Sequence, residues 1–181
     1  IYNPNVAVDK IIYQQIPDAN YFLRQGNFDK VNVIISISKY SGGSGKIDDP
    51  FVLSTPEDII SLGENNEDYS NYFLMTQDID MSEYKFDKAV IGAFGGNFDG
   101  GNHSISNLVV NGSGLFGSYN RSSSGNKIKN LSLVNADITG ERNVGGICGY
   151  LEYGTIENCS VGGSVVGYDQ VGGICGASRG T

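Results

Sequence analysis

Val144-Gly-Gly-Ile-Cys-Gly149 returns letter for letter as Val171-Gly-Gly-Ile-Cys-Gly176, 27 residues further on. The similarity continues outside the hexapeptides. Ile128-Lys-Asn130-Leu131-Ser-Leu133 aligns with Ile156-Glu-Asn158-Cys159-Ser-Val161 at an offset of 28. A third copy reads Ile105-Ser-Asn107-Leu108-Val-Val110, followed by Gly114-Leu115-Phe116-Gly117. Self-similarity at such a period is the signature of a stacked repeat, in which each unit touches only its neighbours.

The units are short apolar-alternating runs rich in Ile, Val and Leu, bounded by Gly, Asn, Asp and Ser, and they read as strands. At about 3.3 Å per residue, one repeat makes a closed circuit of several short strands, and circuits stack at about 4.8 Å. The expected fold class is therefore all-β: a right-handed parallel β-helix (solenoid) with a short N-terminal capping helix and an additional N-terminal strand or hairpin segment. Matching the copies letter by letter places Ile105, Ile128 and Ile156 in one inward column and Leu108, Leu131 and Cys159 in a second. Phe116, Cys148 and Cys175 form a third, beside Leu115, Ile147 and Ile174, with the inward-facing member of that pair left open. Asn107, Asn130 and Asn158 are expected to stack at one corner, where amides can bond one another and the turn backbone. Of the 26 glycines, 21 lie from Gly92 onward, where corners and close coil packing need them.

These motifs resemble the GLUG-motif family of bacterial surface proteins, whose repeats carry a Gly-Gly-(Leu/Ile)-x-Gly element of this kind. Earlier segments extend the resemblance: Gly42-Gly-Ser-Gly45, Asp49-Pro-Phe-Val-Leu-Ser-Thr-Pro-Glu-Asp-Ile59, Tyr72-Phe-Leu-Met-Thr-Gln-Asp-Ile-Asp80, Val90-Ile-Gly92 and Phe94-Gly-Gly-Asn-Phe-Asp-Gly-Gly-Asn-His-Ser-Ile105. The resemblance covers about residues 42–180 and implies the β-helix fold and an extracellular setting, at the cell surface or secreted. Cysteine at 148, 159 and 175 departs from the family pattern.

Three parts are expected. Residues 1–41 are an N-terminal arm or the tail of a preceding domain, with a strand over Val31–Ser38 that Tyr21-Phe-Leu23 could pair with as a hairpin. Residues 42–90 are a cap with a short helix over 55–63: Ser54 or Thr55 as N-cap, Pro56 at the first turn, Glu57 and Asp58 at the dipole, and Gly63 as the stop. Residues 91–181 are the repeats, expected to continue beyond the given sequence, because Gly176-Ala177 stands in mid-circuit. Ile1 in place of Met suggests a processed or excised fragment.

Net charge is −8, concentrated in the cap: residues 47–90 hold eleven acids against Lys85 and Lys88. Solvated cap surface is favoured over an acid-lined site. A basic footprint for nucleic acid or anionic membrane is lacking, and no apolar run of 18 or more suggests membrane insertion.

Cys148 and Cys175, one rung apart, lie within disulfide range, but side chains pointing the same way favour free thiols packed as small hydrophobes. With the single His103 in a turn, a zinc site or a Cys/His pair is disfavoured. Asp78-Ile-Asp80 could hold Ca²⁺ or form an acid/base pair, yet turn-forming carboxylates are favoured, as for Asp99. The sequons at Asn102, Asn111, Asn120, Asn130 and Asn158 are read as incidental. Tyr119, Tyr150, Tyr153 and Tyr168 near corners are equally compatible with ligand stacking and with packing. No catalytic, cofactor-binding or metal-ligating residue is assigned, and no cofactor is expected.

The favoured function is a non-catalytic structural or adhesive module, assembling with protein partners or copies of itself through its ends. A polysaccharide-active enzyme is the alternative, requiring a groove with three or more carboxylates plus a Lys or Arg; the letter-matched register shows no charged columns of that kind. A module binding cell-surface or matrix glycans is the third class.

Overall fold

The computed structural model describes residues 38–119 and 126–179. The expected hairpin partner Tyr21–Leu23, and all but the last residue of the expected strand 31–38, lie outside them. After strand β1 (Phe51–Leu53) and helix α1 (Pro56–Glu64), the chain winds through four rungs. The first comprises β2 (Tyr72–Met75), β3 (Ile79–Asp80), β4 (Lys85–Phe86) and β5 (Ile91–Phe94). The second is β6 (Asn97–Asp99), β7 (Ser104–Ser106), β8 (Val109–Asn111) and β9 (Phe116–Tyr119). The third is β10 (Lys127–Lys129), β11 (Ser132–Thr139), β12 (Arg142–Gly145) and β13 (Cys148–Leu151). The fourth is β14 (Thr155–Glu157), β15 (Ser160–Val166), β16 (Asp169–Gly172) and β17 (Cys175–Ser178).

Strands of successive rungs pair in parallel. One side is the sheet β1-β2-β6-β10-β14, a second joins β3, β7, β11, β8 and β4 with β15 added on β11, and a third is β5-β9-β13-β17. The expected parallel β-solenoid is thus the fold. Its inward columns are apolar because alternate residues of each strand meet the same face of the next. One column runs Phe51, Phe73, Phe98, Ile128, Ile156. Another runs Ile79, Ile105, Leu133, Val161. A third runs Ile91, Phe116, Cys148, Cys175. Leu115 and Ile147, next to Phe116 and Cys148, are equally buried, so both of those neighbouring columns turn inward at the glycine corner.

The letter-matched register is corrected at the earliest copy. Ile105 stacks on Leu133, not on Ile128, and the place below Ile128 belongs to Phe98. Asn107 likewise leaves the Asn130–Asn158 corner and sits under Asn135, one corner further round. The reason is local conformation: Asn107, Asn130, Asn135 and Asn158 all have φ between 51° and 56°, which asparagine tolerates better than most residues. Two corners of the same circuit therefore carry the same letter.

The last two rungs have a side that the first two lack. Four residues, 87–90 and 112–115, join β4 to β5 and β8 to β9, whereas eight residues, 140–147 and 167–174, span the same gap later. The added residues form β12 and β16, which pair only with each other. Val144 fills the new corner, fully buried, and packs so closely on Gly140 and Gly167 that a Cβ at either would collide with it. Its counterpart in the fourth rung, Val171, is 44% exposed.

Helix α1 covers the first rung, packing on β1 and on the edge strand β5. Thr55 is the N-cap and Asp58 completes a capping box. Gly63 is not the stop. It lies inside the helix, where a Cβ would strike the carbonyl of Val90, and the closing residue is Asn65, whose side-chain amide donates to Ser61 O at 2.7 Å. Tyr69 seals the exposed edge: its hydroxyl accepts from Gly92 N at 3.0 Å and donates to Gly63 O at 2.9 Å. Beneath the helix the core is aromatic, with Phe94 ringed by Tyr69, Phe73, Phe116 and Tyr119 at centroid distances of 5.1–6.1 Å.

Candidate functional site

The polar side chains of the stack gather at corners and on the outer face of the β2-β6-β10-β14 sheet. Two corner ladders share one design. In the first, Asn130 Nδ2 donates to Asp99 Oδ1 at 2.9 Å and Asn158 Nδ2 donates to Asn130 Oδ1 at 3.3 Å. In the second, Asn107 Nδ2 donates to Asp80 Oδ1 at 2.8 Å and Asn135 Nδ2 donates to Asn107 Oδ1 at 2.7 Å. The middle amide of each ladder both accepts and donates, so the ladder has a direction. It starts on an aspartate because a carboxylate only accepts, and it suits the end where donors point.

Asp99 also accepts from Gly101 N at 2.9 Å and pairs with Lys129 at 3.0 Å. Burial raises its proton affinity, but the bonds from Asn130, Gly101 and Lys129 outweigh burial and hold its pKa below the ordinary value. A folded pKa below the unfolded one stabilises the fold above the ordinary aspartate range, near about 3.9, and that stabilisation is lost as pH falls through the lowered value. A ¹³C carboxyl titration is expected to place the Asp99 midpoint below about 3.9, and Asn130→Ala to move it upward.

Asp78 and Asp80 do not converge on a common point. Asp78 accepts from the backbone N and hydroxyl of Ser104 at 2.7 and 3.1 Å and stands 3.5 Å from His103 Nδ1. Asp80 takes Ser82 N and the Asn107 amide. Their pKa values are lowered, chiefly by the Ser104 backbone bond for Asp78 and the Asn107 bond for Asp80. Among the described residues, no three His, Cys, Asp or Glu side chains are grouped to hold a metal ion. Asp58 is not solvated surface: it is 5% exposed and accepts from Ser54 N, Thr55 N and Ser41 Oγ at 2.7–3.0 Å.

The outer sheet face carries the charged column that letter matching missed. Leu74, Asp99, Lys129 and Glu157 lie in register, beside Tyr72, Asn97, Lys127 and Thr155. The column is not visible from the repeated letters because its second-rung member, Asp99, lies in Phe98-Asp99-Gly100, outside the copy that resembles the later repeats. Lys127 bridges to Glu157 at 2.9 Å. A shallow groove of about 310 Å³ runs along this face, walled by Ile47, Tyr72, Leu74, Asp99, Lys127 and Lys129. Two carboxylates stand in the column, both paired with lysines, short of the three that the polysaccharide-cleaving reading requires.

Of the four tyrosines, Tyr119 leaves the candidate set, since it is fully buried and its hydroxyl donates to Gly96 O at 2.9 Å. Tyr150 is half-buried, while Tyr153 and Tyr168 are 45% and 95% exposed. The sequon residues Asn130 and Asn158 belong to a corner ladder, and Asn120 lies outside the described residues. No described helix is long and apolar enough to cross a membrane.

Residues 140–166 match the family model of the GLUG motif. The chain is 31% identical over 142 residues to halomucin of Haloquadratum walsbyi (strain DSM 16790 / HBSQ001), an alignment covering 71% of this chain and 2% of that protein. The chain thus spans a very small part of the relative it matches. No solved structure matches. The matched segment runs from the glycine before β12 to the end of β15, so that one circuit of the stack is a GLUG-motif repeat.

Proposed function

We propose that this chain is a non-catalytic, rigid repeat module of an extracellular surface protein. The observation that carries the reading is the commitment of polar side chains to neighbouring rungs. Both Asp-Asn-Asn ladders, the Lys129–Asp99 and Lys127–Glu157 pairs and the Arg142–Asp169 pair at 2.9 Å join one circuit to the next. Groups tied in this way hold the stack rigid, and their electrostatics serve folding. The GLUG motif and the likeness to halomucin support the same reading.

Contact with protein partners, or with another copy of the chain, belongs to the same proposal. Cell-surface or matrix glycans are a further ligand class for the groove beside Tyr72. Antibodies against the chain, applied to intact and to permeabilised cells of its source, test the reading. Labelling of intact cells is the expected result; labelling confined to permeabilised cells overturns it.

A further inference from the structure

Cys148 on β13 and Cys175 on β17 stand directly opposite one another in a parallel ladder. Adjacent strands lie about 4.8 Å apart, inside the Cα separation that disulfides span. Each thiol donates to the carbonyl two residues ahead, Cys148 to Tyr150 O at 3.2 Å and Cys175 to Ala177 O at 3.0 Å, so the two side chains lean the same way. Cys148 is fully buried, whereas Cys175 is half-buried, so the two differ in access from solvent.

We propose that Cys148 and Cys175 are a reversible redox site, oxidised by small-molecule disulfides to a covalent bridge between the third and fourth rungs. The two positions have different roles. The neighbouring thiol draws Cys175 down to about 7, while the facing Cys175 and burial push Cys148 up. Cys175 is therefore the thiolate that meets the oxidant. It attacks one sulfur of the small disulfide, forming a mixed disulfide and expelling one small thiolate, which takes a proton from water. Cys148 then attacks the Cys175 sulfur, its own proton returns to solvent, and the second small thiolate leaves and is protonated. Two protein thiols are oxidised and one small disulfide becomes two thiols. Parallel side chains strain such a bridge, which makes it easy to reduce. Cys159 is the internal control: it stacks beyond Leu131, and its thiol points to Glu157 O at 3.3 Å.

The test is incubation of the full chain with oxidised glutathione, blocking with iodoacetamide, and peptide mapping by mass spectrometry. A 148–175 cross-link with Cys159 blocked is expected. The melting temperature rises by about 5 °C and falls back on adding dithiothreitol. Cys148→Ser is expected to trap one glutathione on Cys175. Cys175→Ser is expected to leave no bridge and a melt indifferent to oxidant. Three blocked thiols, a bridge through Cys159, or an adduct that persists on Cys175 in the unmutated chain overturns the proposal. So does absence of the trapped adduct in Cys148→Ser.

Discussion

Phe94→Ala is expected to destabilise the fold by about 4 kcal/mol, the range for removing a fully buried phenylalanine from a packed core. Phe94 is completely buried at the end of β5 and contacts four other rings, of which Phe116 is nearest at 5.1 Å. Deleting it empties the space where the helix, the first rung and the second rung meet, and the ring pairs are lost together. The hole cannot easily close, because β5 is held on one side by ladder bonds to β9 and on the other by the Tyr69 bridge to Gly63 of the helix. Thermal unfolding followed by circular dichroism should show a melting temperature lower by about 10 °C. Phe94→Leu, which keeps most of the volume, should lose under half as much. An alanine variant that melts within a degree or two of the parent would mean that the aromatic cluster does not anchor the cap.

The second large effect is expected at Asp58. Removing this carboxylate in Asp58→Ala leaves Ser54 N, Thr55 N and Ser41 Oγ without their acceptor in a site that is 5% exposed. Loss of the helix cap contributes about 1 kcal/mol, and stranding buried donors brings the total to about 3 kcal/mol. Thr55→Ala separates the two contributions, since it removes only the hydroxyl that accepts from Asp58 N at 3.3 Å and should cost about 1 kcal/mol. Glu57, next in sequence and also acidic, is exposed, and Glu57→Ala should change stability little. Urea titrations of the three variants distinguish these effects. Equal losses for Asp58→Ala and Glu57→Ala would show that charge at the helix start, rather than bonding in the turn, is what matters.

Residues repeated without interruption between copies were legible in the sequence. Val144 over Val171 and Cys148 over Cys175 follow from two identical hexapeptides, and both pairs are found in register. The earlier rungs were not, for two physical reasons. A column asks for apolar bulk rather than a particular letter, so Phe98 shares one with Ile128 and Ile156 without looking like them. Asparagine, meanwhile, answers a backbone conformation that recurs at successive corners, so Asn107 matched the wrong one. The helix start was readable from Thr55, Pro56 and Asp58 because capping is local chemistry. Gly63 was misread because its role comes from Val90, a residue 27 positions away. The same non-locality hid the charged column and the aromatic cluster, whose members come together only once the coil is wound.

The eight-residue connections of the third and fourth rungs bear on how such a protein could lengthen. A wide circuit can be followed by another wide circuit, since Val144 is roofed by residues of β16's rung. A narrow circuit placed above a wide one would leave that corner bare. Gene duplication of one GLUG unit, about the size of residues 140–166, therefore extends the stack without disturbing what lies below, whereas shuffling an early rung to a late position does not. The step from narrow to wide gives the repeats a fixed order of succession: narrow circuits lie nearer the helix and wide ones farther from it.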